Sequence, residues 1–152
     1  MISANVALNA MRNHTWVQGL GRNHIETLAE LAEEKHFETG EVLYHQGDLA
    51  DRLYMIVSGT VGLALSWRAN AMVLSQTILA GEEIGWCALI EESVRRFTAK
   101  AMTPVQALVF NGTALRSECD CNPQFDVVLM KRLLHLISER LDANRLQLLI
   151  RF

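Results

Sequence analysis

Hydrophobic residues along this chain change their spacing twice. Ile25, Leu28, Leu31 and Ala32 follow one another at the spacing of an amphipathic helix. Asn23, with Glu26 three positions on, makes a capping-box-like start for it. The rest of that helix is acidic, with Glu26, Glu30, Glu33 and Glu34 against Lys35. This reads as a solvated face and argues against contact with DNA. Before it, Trp16, Val17 and Leu20 suggest a short packed segment. From Phe37 to Phe110 the spacing becomes that of strands. Turn signals recur at Gly40, Gly47-Asp48, Ser58-Gly59, Ala69-Asn70, Gly81, Thr103-Pro104 and Asn111-Gly112. Between them lie VLYH (42–45), LYMIV (53–57), TVGLAL (60–65), MVLSQTIL (72–79), FTAKAM (97–102) and VQALVF (105–110). Many short strands at even spacing predict a sandwich or barrel. GWCALI, from residue 85, interrupts them as one or two turns of helix ending near 91.

After Asn111-Gly112 comes a short polar stretch, and Asn122-Pro123 then starts a helix, an N-cap followed by proline at the first helical position. No Gly or Pro intervenes up to Ile150, so the helix is about 42 Å long at 1.5 Å per residue. Leu134, Ile137, Leu141, Asn144 and Leu148 step along it as a heptad seam with one polar member. A small barrel cannot cover a helix of that length, so the seam predicts a partner chain, most simply a parallel homodimer. The expected organisation is one domain, 1–152: a helical part (1–35), a strand-rich part (36–112) with a short inserted helix (85–91), and C-terminal helices (113–152).

Composition narrows the class. Half of the 152 residues are hydrophobic and 20% are charged, enough apolar material for a core and too much for a disordered tail. The net charge of −3 is unlike that of a free-standing nucleic-acid binder. Cys87, Cys119 and Cys121 have no metal-ligand spacing and read as reduced thiols. The longest apolar runs fall far short of the roughly twenty residues of a membrane span, and no signal peptide is visible at the start. A cytoplasmic protein is expected.

The stretch FETGEVLYHQGDLADRLYMIVSGTVGLAL (37–65), with Gly40, Gly47-Asp48 and Gly59 in turns, resembles the front half of a cyclic-nucleotide-binding domain of the catabolite-activator/fumarate-nitrate-regulator type. ISERLDANRLQLL (137–149) resembles the dimer helix of the same regulators. The resemblance implies a mainly β fold with flanking helices, a double-stranded β-helix (jelly roll) of about eight strands plus a long C-terminal helix. It also implies a stand-alone regulatory member without a DNA-binding domain, and no resident cofactor. In that family a Gly-Glu pair opens a short helix, and an Arg followed by a small residue comes some residues later. Backbone N–H groups and the Arg hold a cyclic phosphate, and the Glu accepts from the ribose 2′-hydroxyl. Here the stretch reads GEEIGWCALIEESVRRF. Gly85 matches the Gly and Arg95 the Arg. Trp86 stands at the Glu position, and Arg96 at the small one.

The resemblance therefore places ligand contacts at Gly85, Trp86, Cys87, Ala88, Arg95, Arg96 and, on the long helix, Asn144. Losing a charged acceptor to a buried hydroxyl costs about 1.5–3 kcal/mol, roughly one to two decades of affinity. The expected ligand is a weakly held cyclic nucleotide or another small phosphate or anion. The alternative is a dimerisation or protein-interaction module whose pocket is filled by Trp86. With a purely structural role, Arg95 and Arg96 are a solvated pair screened by Glu91 and Glu92, and Cys87 is a small buried hydrophobe. An enzyme is not expected. A catalytic metal takes about three protein donors. Of His14, His24, His36, His45 and His135, only His45 sits within a strand, with no His-x-His pair.

Overall fold

The computed structural model describes residues 4–12, 14–67, 71–90 and 92–150. Its elements are helices α1 (Ala4–Met11) and α2 (Arg22–Leu31), then strands β1 (Ala32–Phe37), β2 (Val42–Tyr44), β3 (Arg52–Ser58), β4 (Val61–Trp67), β5 (Ala71–Ile78) and β6 (Glu83–Ile84). A 3-10 helix, Trp86–Leu89, precedes β7 (Thr98–Ala101) and β8 (Val105–Asn111), and α3 (Gly112–Cys121) and α4 (Pro123–Ile150) end the chain. A second 3-10 turn, Thr15–Val17, joins α1 to α2. The strands form two antiparallel four-stranded sheets, in the orders β1-β8-β3-β6 and β2-β7-β4-β5. This is the expected jelly roll with a long C-terminal helix.

Two cores lie on opposite faces of the first sheet. Tyr54, Ile56, Ile84, Ala107 and Val109 meet Val61, Ile78, Ala99 and Ala101 inside the roll. On the other face, Leu53, Met55, Leu108 and Phe110 pack under the helices against Met11, Trp16, Leu28, Phe125, Leu129 and Leu133. β3 and β8 are thus buried on both sides. That is why LYMIV and VQALVF read as continuous apolar runs, whereas a strand with one wet face alternates.

Three expected boundaries are corrected. α2 begins at Arg22, with Gly21 as N-cap and no side-chain cap; Glu26 bonds Arg22 Nε at 3.0 Å instead of closing a capping box with Asn23. The helix ends at Leu31, and Ala32–Phe37, expected to be helical up to residue 35, is a strand paired along β8. It is a charged edge strand, a device that blunts unwanted pairing, and Glu34 Oε1 accepts from Gln106 Nε2 at 2.6 Å. The polar stretch after Gly112 is helix α3, capped by Asn111 Oδ1 on Ala114 N at 3.0 Å. The Asn122 cap of α4 stands as expected, its Oδ1 accepting from Phe125 N at 3.2 Å. The turn expected at Ala69-Asn70, and Glu91 at the end of the inserted helix, lie outside the described residues.

Candidate functional site: a buried arginine beside a left-handed glycine

β6 ends at Ile84, and Gly85 then takes a left-handed conformation (φ 88°) as N-cap of the 3-10 helix Trp86–Leu89. A Cβ at Gly85 would stand 2.9 Å from Arg95 Nη1 and 2.8 Å from the Arg52 carbonyl. Only glycine permits both that φ and that approach. Arg95 is held from the other side by its own backbone. Its N–H donates to Asp48 O and its carbonyl accepts from Gly47 N, both at 2.8 Å.

The Arg95 side chain is 4% exposed. Nη2 donates to Arg52 O, and the guanidinium lies 4.2 Å over the Tyr44 ring. Nε is buried without a partner, and among the described residues no carboxylate forms an ion pair with this side chain. Tyr44 stacks near Tyr54 (5.9 Å), which lies near Phe37 (6.4 Å). Burial pushes the Tyr44 phenol up to about 12 and raises that of Tyr54. These phenols are neutral near pH 7, so they do not balance the arginine's charge. The fold therefore buries a cation against aromatic rings and one carbonyl, an arrangement that an anion would complete.

The other expected ligand residues take different places around this pair. Trp86 turns toward the helical core. Its ring is capped at 4.4 Å by the Arg140 guanidinium from α4, and its Nε1 is buried without a partner. Cys87 is half-buried. Ala88 is fully buried, its N–H donating to Gly85 O and its carbonyl accepting from Arg116 Nη1. Arg96 is exposed. Asn144 lies on a separate cleft of about 600 Å³ between β5 and α4, bounded by Gln76, Glu82, Glu83 and Arg140. Of the seven, the structure brings Arg95 against Gly85, with Cys87 near Tyr44 and Ala88 bonded to Gly85 O, while Arg96 and Asn144 lie apart. Sequence reasoning missed Tyr44, the Arg52 carbonyl and Arg140. Arg140 stands four residues before Asn144 on one helical face, a spacing that could have signalled it.

The seam residues lie in the open. Leu134 (64%), Ile137, Leu141 (47%) and Leu148 are exposed, while Leu129, Leu133 and Leu136 of the same helix are buried against the roll. Among the described residues no group of three His, Cys, Asp or Glu could hold a metal, and no helix is long and apolar enough to cross a membrane.

A jelly roll with an inserted short helix, an arginine beside its first glycine and a long closing helix defines a class of small-ligand regulatory domain. Residues 34–122 match the family described as cyclic nucleotide-binding domain, and the chain belongs to that family. The fold is shared with a cyclic nucleotide-binding domain from Methylobacillus flagellatus (TM-score 0.82, 19% identity, 98% of this chain and 84% of that one). It is shared as well with the catabolite activator protein of Thermus thermophilus (TM-score 0.73, 21% identity, 90% and 62%). Among curated proteins, the HTH-type transcriptional regulator Cmr of Mycobacterium tuberculosis is 24% identical over 130 residues, which are 86% of this chain and 51% of that protein. The chain spans about half the length of Cmr, and only 6% of a Neosartorya fischeri lysophospholipase nte1 that it also matches.

Proposed function

We propose that this chain is a non-enzymatic sensor module that takes a small anion at Arg95 beside Gly85 and reports its occupancy through α4. The observation that carries this reading is Arg95 itself, a buried cation without a carboxylate partner among the described residues. The ligand class is that of a cyclic nucleotide or another small phosphate, in keeping with the family. An anion at Arg95 would compete with the Arg52 carbonyl and draw on Gly85, and Trp86 would carry the shift to Arg140 on α4. We also propose a cytoplasmic protein that does not contact DNA through this chain, whose net charge is −3.

Trp86 decides among ligands. It supplies no acceptor for a ribose hydroxyl, so cyclic AMP and cyclic GMP are expected to bind with dissociation constants well above about 1 μM, the −8.2 kcal/mol mark. Titration calorimetry on both checks this, and micromolar or tighter binding contradicts it. Trp86→Glu should gain about tenfold. The second reading, a protein-interaction module with a closed pocket, is favoured by the packing of Trp86 into the helical core under Arg140. A thermal-shift panel of cyclic mononucleotides, cyclic dinucleotides and inorganic phosphate separates the two. A ligand at about 100 times its dissociation constant adds about 2.7 kcal/mol of stability, and a panel without any shift favours the closed module.

The output is proposed to be a parallel homodimer through α4. Each seam leucine buried contributes roughly 1.5–3 kcal/mol, and two Asn144 amides can bond across the two-fold axis. Sedimentation equilibrium at micromolar concentration should give a dimer mass, and Leu141→Glu, by placing a charge in the seam, a monomer. A monomer mass for the unmodified chain refutes the dimer.

A further inference from the structure

Glu83, in β6, is 1% exposed and sits between two basic side chains from opposite ends of the chain. From α4, Arg140 donates to its carbonyl at 3.1 Å and to Oε1 at 3.4 Å. From the start of the chain, His14 places Nδ1 3.7 Å from Oε2. We propose that Glu83 is a shared carboxylate: Arg140 holds it while α4 is docked, and protonated His14 takes it over when Arg140 leaves, so that acid releases the outer half of α4. The switch operates with or without an anion at Arg95.

Three observations support this. First, Arg140 is the tether of that half. From Ile137 to Leu149 every side chain except Arg140 is exposed. The stretch that bears Leu141, Asn144 and Leu148 thus overhangs the cleft from β5, fastened at one residue that also caps Trp86. Second, Arg140 cannot leave without consequence. A buried carboxylate stripped of its cation is strongly destabilising unless another charge replaces it.

Third, His14 is placed to be the replacement. It is 2% exposed. Its Nε2 bonds the Glu82 carbonyl at 2.8 Å, so Nε2 carries the proton. Nδ1, which carries no proton, accepts from Trp16 N at 3.3 Å and lies 3.7 Å from Glu83 Oε2, so protonating it exchanges the Trp16 bond for one to the carboxylate. Among the described residues, the charged groups facing the imidazole are Glu83 from β6 and Arg140 from α4. Glu82 presents its carbonyl there, because its carboxylate accepts from Leu79 N. With Arg140 in place the ring stays neutral. Burial lowers its pKa to about 4, the Glu82 bond opposes this, and Arg140 lowers it further. Removing Arg140 leaves the Glu83 carboxylate as the dominant charge and raises the affinity of His14 for a proton. Between the lower docked pKa and the higher released one, the released form holds one more proton. Each unit of acidification in that window therefore favours release by up to about tenfold.

NMR titration of the 152-residue chain tests this. In the unmodified protein the His14 ring is expected to titrate below pH 5, and the Trp86 indole resonance, identified by its loss in Trp86→Phe, to move with the same midpoint as Arg140 leaves its ring. In Arg140→Met, the pKa of His14 should rise by at least about one unit, a tenfold gain in proton affinity. In His14→Gln, whose amide can still donate to Glu82 O, the Trp86 movement should vanish while its neutral-pH position is kept. An unchanged His14 pKa in Arg140→Met overturns the proposal, as does a Trp86 movement that persists in His14→Gln. If His14→Gln misfolds, the Arg140→Met titration decides alone. An outcome in which the switch titrates but no anion binds at Arg95 retains this inference and rejects the sensor.

Discussion

Arg95→Met is expected to abolish anion binding and to leave the fold as stable as before, or more stable. The two effects have one cause. Arg95 is 4% exposed, and its guanidinium has the Arg52 carbonyl and the Tyr44 ring as neighbours. Taking a cation out of water costs several kcal/mol, and one carbonyl with one ring returns part of it. Methionine has a similar reach, no charge and a flexible apolar body that suits the Tyr44–Tyr54 side of the roll. The backbone bonds of Arg95 to Gly47 and Asp48 do not depend on the side chain. On the ligand side, each hydrogen bond between charged groups contributes about 1.5–3 kcal/mol. Losing a two-pronged contact should then lower affinity by roughly a hundredfold or more. Thermal melts with and without the best anion of the panel read both effects. A variant that still binds, or one that unfolds, would show that Arg95 is a structural residue and not a site for ligand. Stability given up for function is the usual relation at such positions.

The largest loss of stability is expected from Gly59→Ala. Gly59 turns β3 into β4 at φ 90°, and a Cβ there would lie 2.2 Å from Pro104 O and 3.0 Å from Val105 Cα. Both obstacles are backbone. The β3–β4 turn is pinned to the segment joining β7 to β8 by Met102 N donating to Thr60 O and Thr60 N donating to Thr103 Oγ1, each at 2.9 Å. The methyl can be fitted only by prising two turns apart, at a cost of about 4 kcal/mol or more. Gly47→Ala is the control. Its φ is 91° too, but nothing lies within 4 Å of the added methyl, so only the left-handed penalty of about 1–2 kcal/mol applies. Urea denaturation of the pair should separate them by at least about 2 kcal/mol. Equal losses would mean that backbone conformation, not contact with Pro104, limits both sites.

Gly59 and Gly47 look alike in the sequence, and that likeness marks how far it can be read. Turns were legible because left-handed backbone favours glycine, as at Gly40, Gly47, Gly59, Gly81 and Gly85, with Glu92 (φ 59°) the exception among the described residues. The runs 53–57 and 105–110 were legible as strands because strands buried on both faces are apolar throughout. α4 was legible from Asn122-Pro123 and its unbroken length. β1 was not: Glu33, Glu34 and Lys35 are good helix formers, and the free edge of β8, about seventy residues away, draws them into a strand. Propensity is weak beside a row of unpaired ladder bonds.

The sequence by itself determined the roll and the inserted turn at Gly85, and it singled out Gly85 and Arg95, the pair on which the proposed anion site rests, because each is legible locally: a φ that only glycine takes readily and an arginine shortly after the inserted turn. Tertiary structure alone decided what Trp86 does. Its side chain leaves the 3-10 helix toward the helical core and meets Arg140 from 54 positions further along the chain, so it packs between two elements that the sequence does not bring together. Tertiary structure likewise placed Glu83 between His14 and Arg140, because only the folding of both chain ends onto the same face of the roll brings those charges within reach of one carboxylate.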